Sequence, residues 1–198
     1  MLLAMLGELH PLGDARICVP ERVAYSAQRP HIFEGTLRDN IMQGDFVHEE
    51  RYQEALRATH LPFDLEVLPG GDDALVGSRG ISLSGGQKAR VSMARAAYSL
   101  GTDVVLIDDP FGAVDLCTGK HLMEQLLLGP ILRGRTRVVV CQPDPERLAR
   151  FDWVIILADG RVHLQGAPDE VMSTAEYRSL LCSQQAADGR GGASASSE

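Results

Sequence analysis

Apolar residues along this chain recur in two rhythms, one helical and one of short continuous runs. Leu2, Leu3, Met5, Leu6 and Leu9 fall at helical spacing, so the chain opens in an amphipathic helix that Pro11 and Gly13 end. No cap precedes Leu2, and the helix is expected to have lost what comes before it. Short strand-like pieces follow at Ile17–Val19 and Val23–Ser26. Between Glu49 and Thr59, an acidic start and the stripe Tyr52, Ala55, Leu56 predict a surface helix. Ser84 reads as the N-cap of a long helix to about Ser99, with Gly85 and Gly86 in its first turn. The uninterrupted run Val104–Ile107 predicts a strand buried on both faces, ending in Asp108-Asp109-Pro110. Asp115 can cap a helix to about Leu128, and Gly129, Pro130 and Gly134 separate it from another buried strand, Arg137–Cys141. Trp153–Leu157 and Arg161–Leu164 form a hairpin-like pair around Ala158-Asp159-Gly160. Strands alternating with helices imply an α/β domain with a mainly parallel sheet. Residues 184–198, rich in Ala, Gly and Ser, are expected to be a disordered tail.

Composition narrows the function classes. The 198 residues suffice for one domain with a real core, and 44% hydrophobic with 23% charged residues is an ordinary globular balance. A net charge of −8, with arginines scattered and only Lys88 and Lys120 as lysines, gives no support for nucleic-acid binding. Cys18, Cys117, Cys141 and Cys182 show neither metal nor redox spacing and read as reduced thiols. The apolar opening lacks a basic start and is broken by Glu8, so a signal peptide is rejected. With no apolar run of about 20 residues, any membrane connection is expected through another polypeptide or another segment.

Two places carry candidate chemistry. Ser84-Gly85-Gly86-Gln87, at a helix start, offers unpaired amides at the positive end of a helix dipole, which suits an anion. About twenty residues later, the buried strand Val104–Asp109 delivers carboxylates at its C-terminal end, where α/β sheets place ligand chemistry and where an aspartate can hold Mg²⁺. Either would be weak alone, since glycine-rich helix starts are mostly turns and an Asp-Asp pair can simply end a strand. The six histidines show no ligand spacing and read as surface or loop residues, and Phe151 and Trp153 read as core.

Taken together these residues resemble the nucleotide-binding domain of ABC transporters, and more closely its C subfamily, the multidrug-resistance-protein type. The signature stretch is Leu83-Ser84-Gly85-Gly86-Gln87, the Walker B element is Val104–Asp108, the D-loop is Gly112-Ala113-Val114-Asp115, and the Q-loop falls at Gln28 within Tyr25–Ile41. The resemblance covers about residues 1 to 175, within a partial domain of 1–180. It implies a P-loop NTPase-like parallel sheet core with a helical subdomain inserted at about residues 40–99. By the resemblance, Asp108 and Gln28 handle Mg²⁺, Gln28 also senses the attacking water, and Asp109 stands at the catalytic-base position. Ser84, Gly85, Gly86 and Gln87 would close on ATP held by a second nucleotide-binding domain in a head-to-tail pair, with Asp115 communicating across that interface. The other implied partners are the transmembrane domains of an exporter, which places the cassette on the cytoplasmic face of a membrane.

Three departures accompany the resemblance. The family's Gly-x-x-x-x-Gly-Lys-Ser/Thr loop and N-terminal strands are absent, and the chain starts at the helix that follows that loop. Gly80 to Gly85 lacks the lysine, while Gly119-Lys120 has Val114 in place of the first glycine and His121 in place of the hydroxyl residue. Asp109 replaces the usual glutamate, one methylene longer, and Gln142 stands where the switch histidine is expected. A hydrolysing transporter cassette, of the pattern familiar in the first of two unequal ones, is therefore weighed against a degenerate cassette that completes a partner's ATP site. A third reading, an ABC protein of translation or DNA repair, is disfavoured by the acidic charge and the Q-loop region.

Overall fold

A computed structural model describes residues 16, 18, 20–77 and 80–182. The helix expected over Leu2–Leu9, Ile17 and Val19 of the strand expected at Ile17–Val19, and the tail from 184 lie outside the described residues, and Cys18 is in no strand. The chain divides into two compact units, Met1–Cys141 and Gln142–Glu198.

The first unit is built on a three-stranded parallel sheet in the order β1-β4-β5, with β1 Val23–Ser26, β4 Val104–Asp108 and β5 Thr136–Val140. Val105, Leu106 and Ile107 are fully buried, as the continuous apolar run requires. On β5 the equally apolar Val138 and Val139 are only half-buried, because β5 is an edge of the described sheet. Expectation and structure agree there on the strand but not on its burial.

A 14-residue helix, α4 (Gly85–Tyr98), lies against β1 and β4. Its buried side includes Val91, Met93, Ala94, Ala97 and Tyr98. Between β1 and α4 come β2 (Gly35–Thr36), α1 (Leu37–Met42), α2 (Glu49–Ala58), α3 (Pro62–Val67) and β3 (Leu75–Val76), with β2 and β3 antiparallel. Of these, the sequence pattern announces only α2. The others are six residues or fewer, too short for a periodicity to register. Both α1 and α2 pack on α4. At its far end Tyr98 donates from its hydroxyl to the Phe46 carbonyl at 2.7 Å, and Arg51 Nε donates to the Tyr98 carbonyl at 2.8 Å.

The helix expected from Asp115 to Leu128 is continuous but changes its winding partway. It runs as α5 (Leu116–His121) and then opens into a π-helical turn over Leu122–Leu127, closed by Leu128 N–H donating to Met123 O at 3.0 Å. The wider turn places Leu122, Leu126 and Leu127 in full burial.

The second unit holds α6 (Pro145–Leu148), the hairpin β6 (Val154–Ala158) and β7 (Arg161–Gly166), α7 (Pro168–Ser173) and a helical stretch over 175–182. The hairpin turns at Asp159 and Gly160, both with positive φ, as the Asp-Gly pair predicts. Leu148, Val154, Val171 and Tyr177 form its core. Trp153, expected in the core, is 58% exposed.

Candidate functional site

Three of the residues singled out from sequence meet in one cleft of about 310 Å³ at the C-terminal end of β4. Its walls are the end of β1 through Gln28, the flank of α4 at Ala89 and Met93, and the Asp108–Ala113 turn. Ser26 ties the end of β1 to α4, donating from its hydroxyl to Ser92 Oγ at 3.0 Å with both side chains buried. That bond fixes where the chain leaves the sheet, two residues before Gln28.

Gln28 Nε2 donates to Asp109 Oδ2 at 3.4 Å. Asp109 sits in the left-handed region, φ 53°, with its amide donating to Val140 O at 2.8 Å. This backbone conformation is uncommon for a residue other than glycine and turns the carboxylate back onto Gly112. A Cβ at Gly112 would lie 2.8 Å from Asp109 Cγ, so the absence of a side chain there makes room for the carboxylate. Burial, and then the charge of Asp109, hold the Asp108 carboxyl above its usual range. Two carboxylates and an amide form an oxygen-rich set of the kind Mg²⁺ takes. Among the described residues no three His, Cys, Asp or Glu side chains converge as a metal cage. Mg²⁺ needs none, because it keeps waters and takes phosphate oxygens.

Ser84 and Gln87 form a capping box at the start of α4. The Ser84 hydroxyl accepts from Gln87 N at 3.2 Å, and Gln87 Oε1 accepts from Ser84 N at 2.9 Å. The amides of Gly85 and Gly86 fall outside the helix's own ladder. Nothing lies within 4 Å of a Cβ built at Gly85, so its face is open. Gly86 differs: a Cβ there would come to 2.8 Å from Ala113 O. Its bareness lets the Gly112–Asp115 turn approach α4, a use of the second glycine that the sequence does not show.

Asp115 caps α5, accepting from Thr118 N at 3.0 Å and from the Thr118 hydroxyl at 2.7 Å. These bonds hold its carboxyl below the usual range. Gln142 is exposed and belongs to the second unit, whereas Gln28, Asp108 and Asp109 belong to the first.

Several residues that the pattern did not single out complete the surroundings. Asp64 on α3 is paired with Arg90 on α4, and Asn40 on α1 is wholly buried. His60, at φ 61°, stacks on His121 with ring centroids 4.5 Å apart. Its Nδ1 lies 3.5 Å from Thr118 Oγ1, whose proton is committed to Asp115, so His60 is assigned as the donor. These pairs link residues 26 to 61 positions apart, and no local signal reports them.

Desolvation, His121 and Arg90 lower the His60 pKa from the usual 6.5, against the opposing pull of Asp64 and Asp115. The unfolded chain therefore takes up this proton first. The stabilisation is complete above the unfolded value and is lost as pH falls through about 6.5 toward the folded value. Melting temperature should drop between about pH 7.5 and about pH 5.5. His60→Asn, which tolerates the same backbone, should flatten that part of the profile. An unchanged profile would show that His60 does not contribute.

With this geometry in place, comparisons with known proteins fix the class. The family model for ABC transporters matches residues 8–112, just over half of the chain. The chain belongs to that family, and more narrowly it is a C-subfamily nucleotide-binding domain. It is 41% identical over 182 residues to human ATP-binding cassette sub-family C member 3, covering 90% of this chain and 12% of that protein. It is 41% identical over 175 residues to Arabidopsis thaliana ABC transporter C family member 7, covering 88% and 11%. Human ATP-binding cassette sub-family C member 4 is 40% identical over 182 residues, covering 91% and 13%. The chain thus spans about an eighth of the length of these relatives. Membership of this family implies ATP binding. No helix among the described residues is long and apolar enough to cross a membrane.

Proposed function

We propose that this chain is the ATP-binding cassette of an ATP-driven membrane exporter, seated on the cytoplasmic face against transmembrane domains and pairing head-to-tail with a second cassette. The observation that carries the reading is the convergence of Gln28, Asp108 and Asp109 at the end of β4, on the flank of the helix that Ser84 caps. In this reading Asp108 and Gln28 hold Mg²⁺, and Ser84, Gly85 and Gly86 face the γ-phosphate of ATP bound by the partner. Mg²⁺, when bound, would supply positive charge to offset that on the phosphate groups.

A second reading is favoured at this chain's own site, that of a cassette that binds ATP and completes its partner's site but turns over slowly. Asp109 is one methylene short, folded back onto Gly112, and held by Gln28. A general base must reach its water, and this carboxylate is turned toward its own loop. Gln142 cannot carry charge near neutral pH. Such a pattern fits the first of two unequal cassettes.

Titration calorimetry with Mg²⁺ and ATP tests the binding. This chain alone should be silent, and a version extended upstream through a Gly-x-x-x-x-Gly-Lys-Ser/Thr loop should bind. Micromolar binding by the short chain would place the phosphate site elsewhere, near Ser84 or Gly119. In the extended form paired with its partner, Asp109→Glu with Gly112→Ser should raise ATP turnover about tenfold or more. An unchanged rate would count against a misplaced base.

A further inference from the structure

The capping box at Ser84 contains an amide that could sit either way round. Gln87 must present Oε1, not Nε2, to the Ser84 N–H if it is to accept that proton, and a glutamine side chain can rotate by half a turn to exchange the two. What decides its orientation lies on another helix. Gln87 Nε2 donates to Asp64 Oδ1 at 3.1 Å. An ionised carboxylate only accepts, so only the NH₂ end of Gln87 can face it, and Oε1 is thereby turned to Ser84. Asp64 is itself gripped by Arg90, which donates from Nε to Oδ2 at 3.2 Å and from Nη2 to both oxygens at 2.7 and 2.8 Å. Both side chains are nearly buried, 14% and 13% exposed, so the pair is a fixed post rather than a mobile surface contact. Arg90 also backs the signature turn, its Nη1 lying 3.4 Å from where a Gly86 Cβ would be.

We propose that Asp64 is the positioning residue of the Ser84–Gln87 site: by fixing which way the Gln87 amide points, it holds the Ser84 backbone and leaves the Gly85 and Gly86 amides aimed at the partner-bound phosphate. This rests on the reading of Ser84–Gly86 as the face that closes on ATP. The neutral isostere, Asp64→Asn, is the informative change. The introduced amide could offer its own NH₂ to Gln87, which would flip the Gln87 amide and set a donor against the Ser84 N–H. The chain of bonds would then be inverted with little change in shape.

Hydrogen exchange in the complete transporter, with and without Mg²⁺ and ATP, reads this directly. In the wild type, ATP should slow exchange across the segment 84–88. Asp64→Asn should abolish most of that protection and raise the ATP KM about tenfold with kcat nearly unchanged. Asp64→Glu, which keeps an obligate acceptor, should largely restore both. Protection and KM in Asp64→Asn equal to wild type would overturn the inference while leaving the signature reading intact. If the wild type shows no ATP protection there, both fall together. Should Asp64→Asn fail to fold, Gln87→Ala, which keeps the Asp64–Arg90 pair, carries the test. Loss of protection in that variant supports the relay, and wild-type protection overturns it.

Discussion

Asn40→Ala should cost about 3–5 kcal/mol of folding stability, one of the two largest single-residue effects expected in this chain. Asn40 is 0% exposed and joins three pieces of backbone. Its Nδ2 donates to Phe33 O and Thr36 O, each at 3.0 Å, and its Oδ1 accepts from Phe33 N at 3.0 Å. Arg95 reaches it as well, donating from Nη2 to Oδ1 at 3.3 Å and from Nε to the Asn40 carbonyl at 2.7 Å. Alanine would take their partner from two donors, Phe33 N–H and Arg95 Nη2, and two acceptors where water does not replace it, and each orphan costs about 1–3 kcal/mol. Asn40→Asp should fall between, because a carboxylate still accepts from Phe33 and Arg95 but gives nothing to the two carbonyls. Urea unfolding at unchanged slope is the measurement. A loss under about 1 kcal/mol would show that the segment after Gln28 stands without this bracket.

Gly129→Ala is the second, at about 3 kcal/mol. A Cβ there would overlap the Gln125 carbonyl, lying 2.6 Å from its carbon atom. The obstacle is backbone, which no rotamer change relieves. Relief must come from unwinding the π turn, whose Leu126 and Leu127 are buried beside Ile131 and Leu132. Gly134→Ala is the comparison. It has φ 77° but nothing within 4 Å of the added atom, so it should cost only the left-handed backbone penalty of about 1 kcal/mol. Equal losses at the two positions would mean that the Gln125 contact is slack.

What was legible in the sequence follows from how locally each feature is determined. The strand at Val104–Ile107 shows because burial on both faces leaves an unbroken apolar run, and the Ser84 helix start because Ser and Gln three residues apart can satisfy each other's amides. Asp159-Gly160 shows because only such residues enter a turn with two positive φ angles. The π turn does not show, since nothing in Leu122–Leu127 departs from helical composition and the widening serves packing against distant residues. Asp64 with Arg90, and Asn40 with Arg95, are 26 and 55 positions apart, beyond any periodicity. The motifs place the candidate residues at strand and helix ends, but motif spacing does not reveal that Gly86 faces Ala113 or that Asp109 folds onto Gly112. Those depend on the φ angle of one aspartate and the approach of one loop.

The helix α4 also has a mechanical consequence. At a rise of about 1.5 Å per residue its 14 residues make a rod of roughly 21 Å. Near one end sits the Ser84 cap, and near the other Arg95 is clamped to Asn40, which in turn holds the segment running back to Gln28. A helix yields far less along its axis than a loop does. A pull of an ångström at Ser84 would therefore be delivered, little diminished, as a tug on Asn40 and Phe33. The rod makes the Ser84 end and the loop beyond Gln28 the two arms of one lever, so neither can move without the other bearing the load.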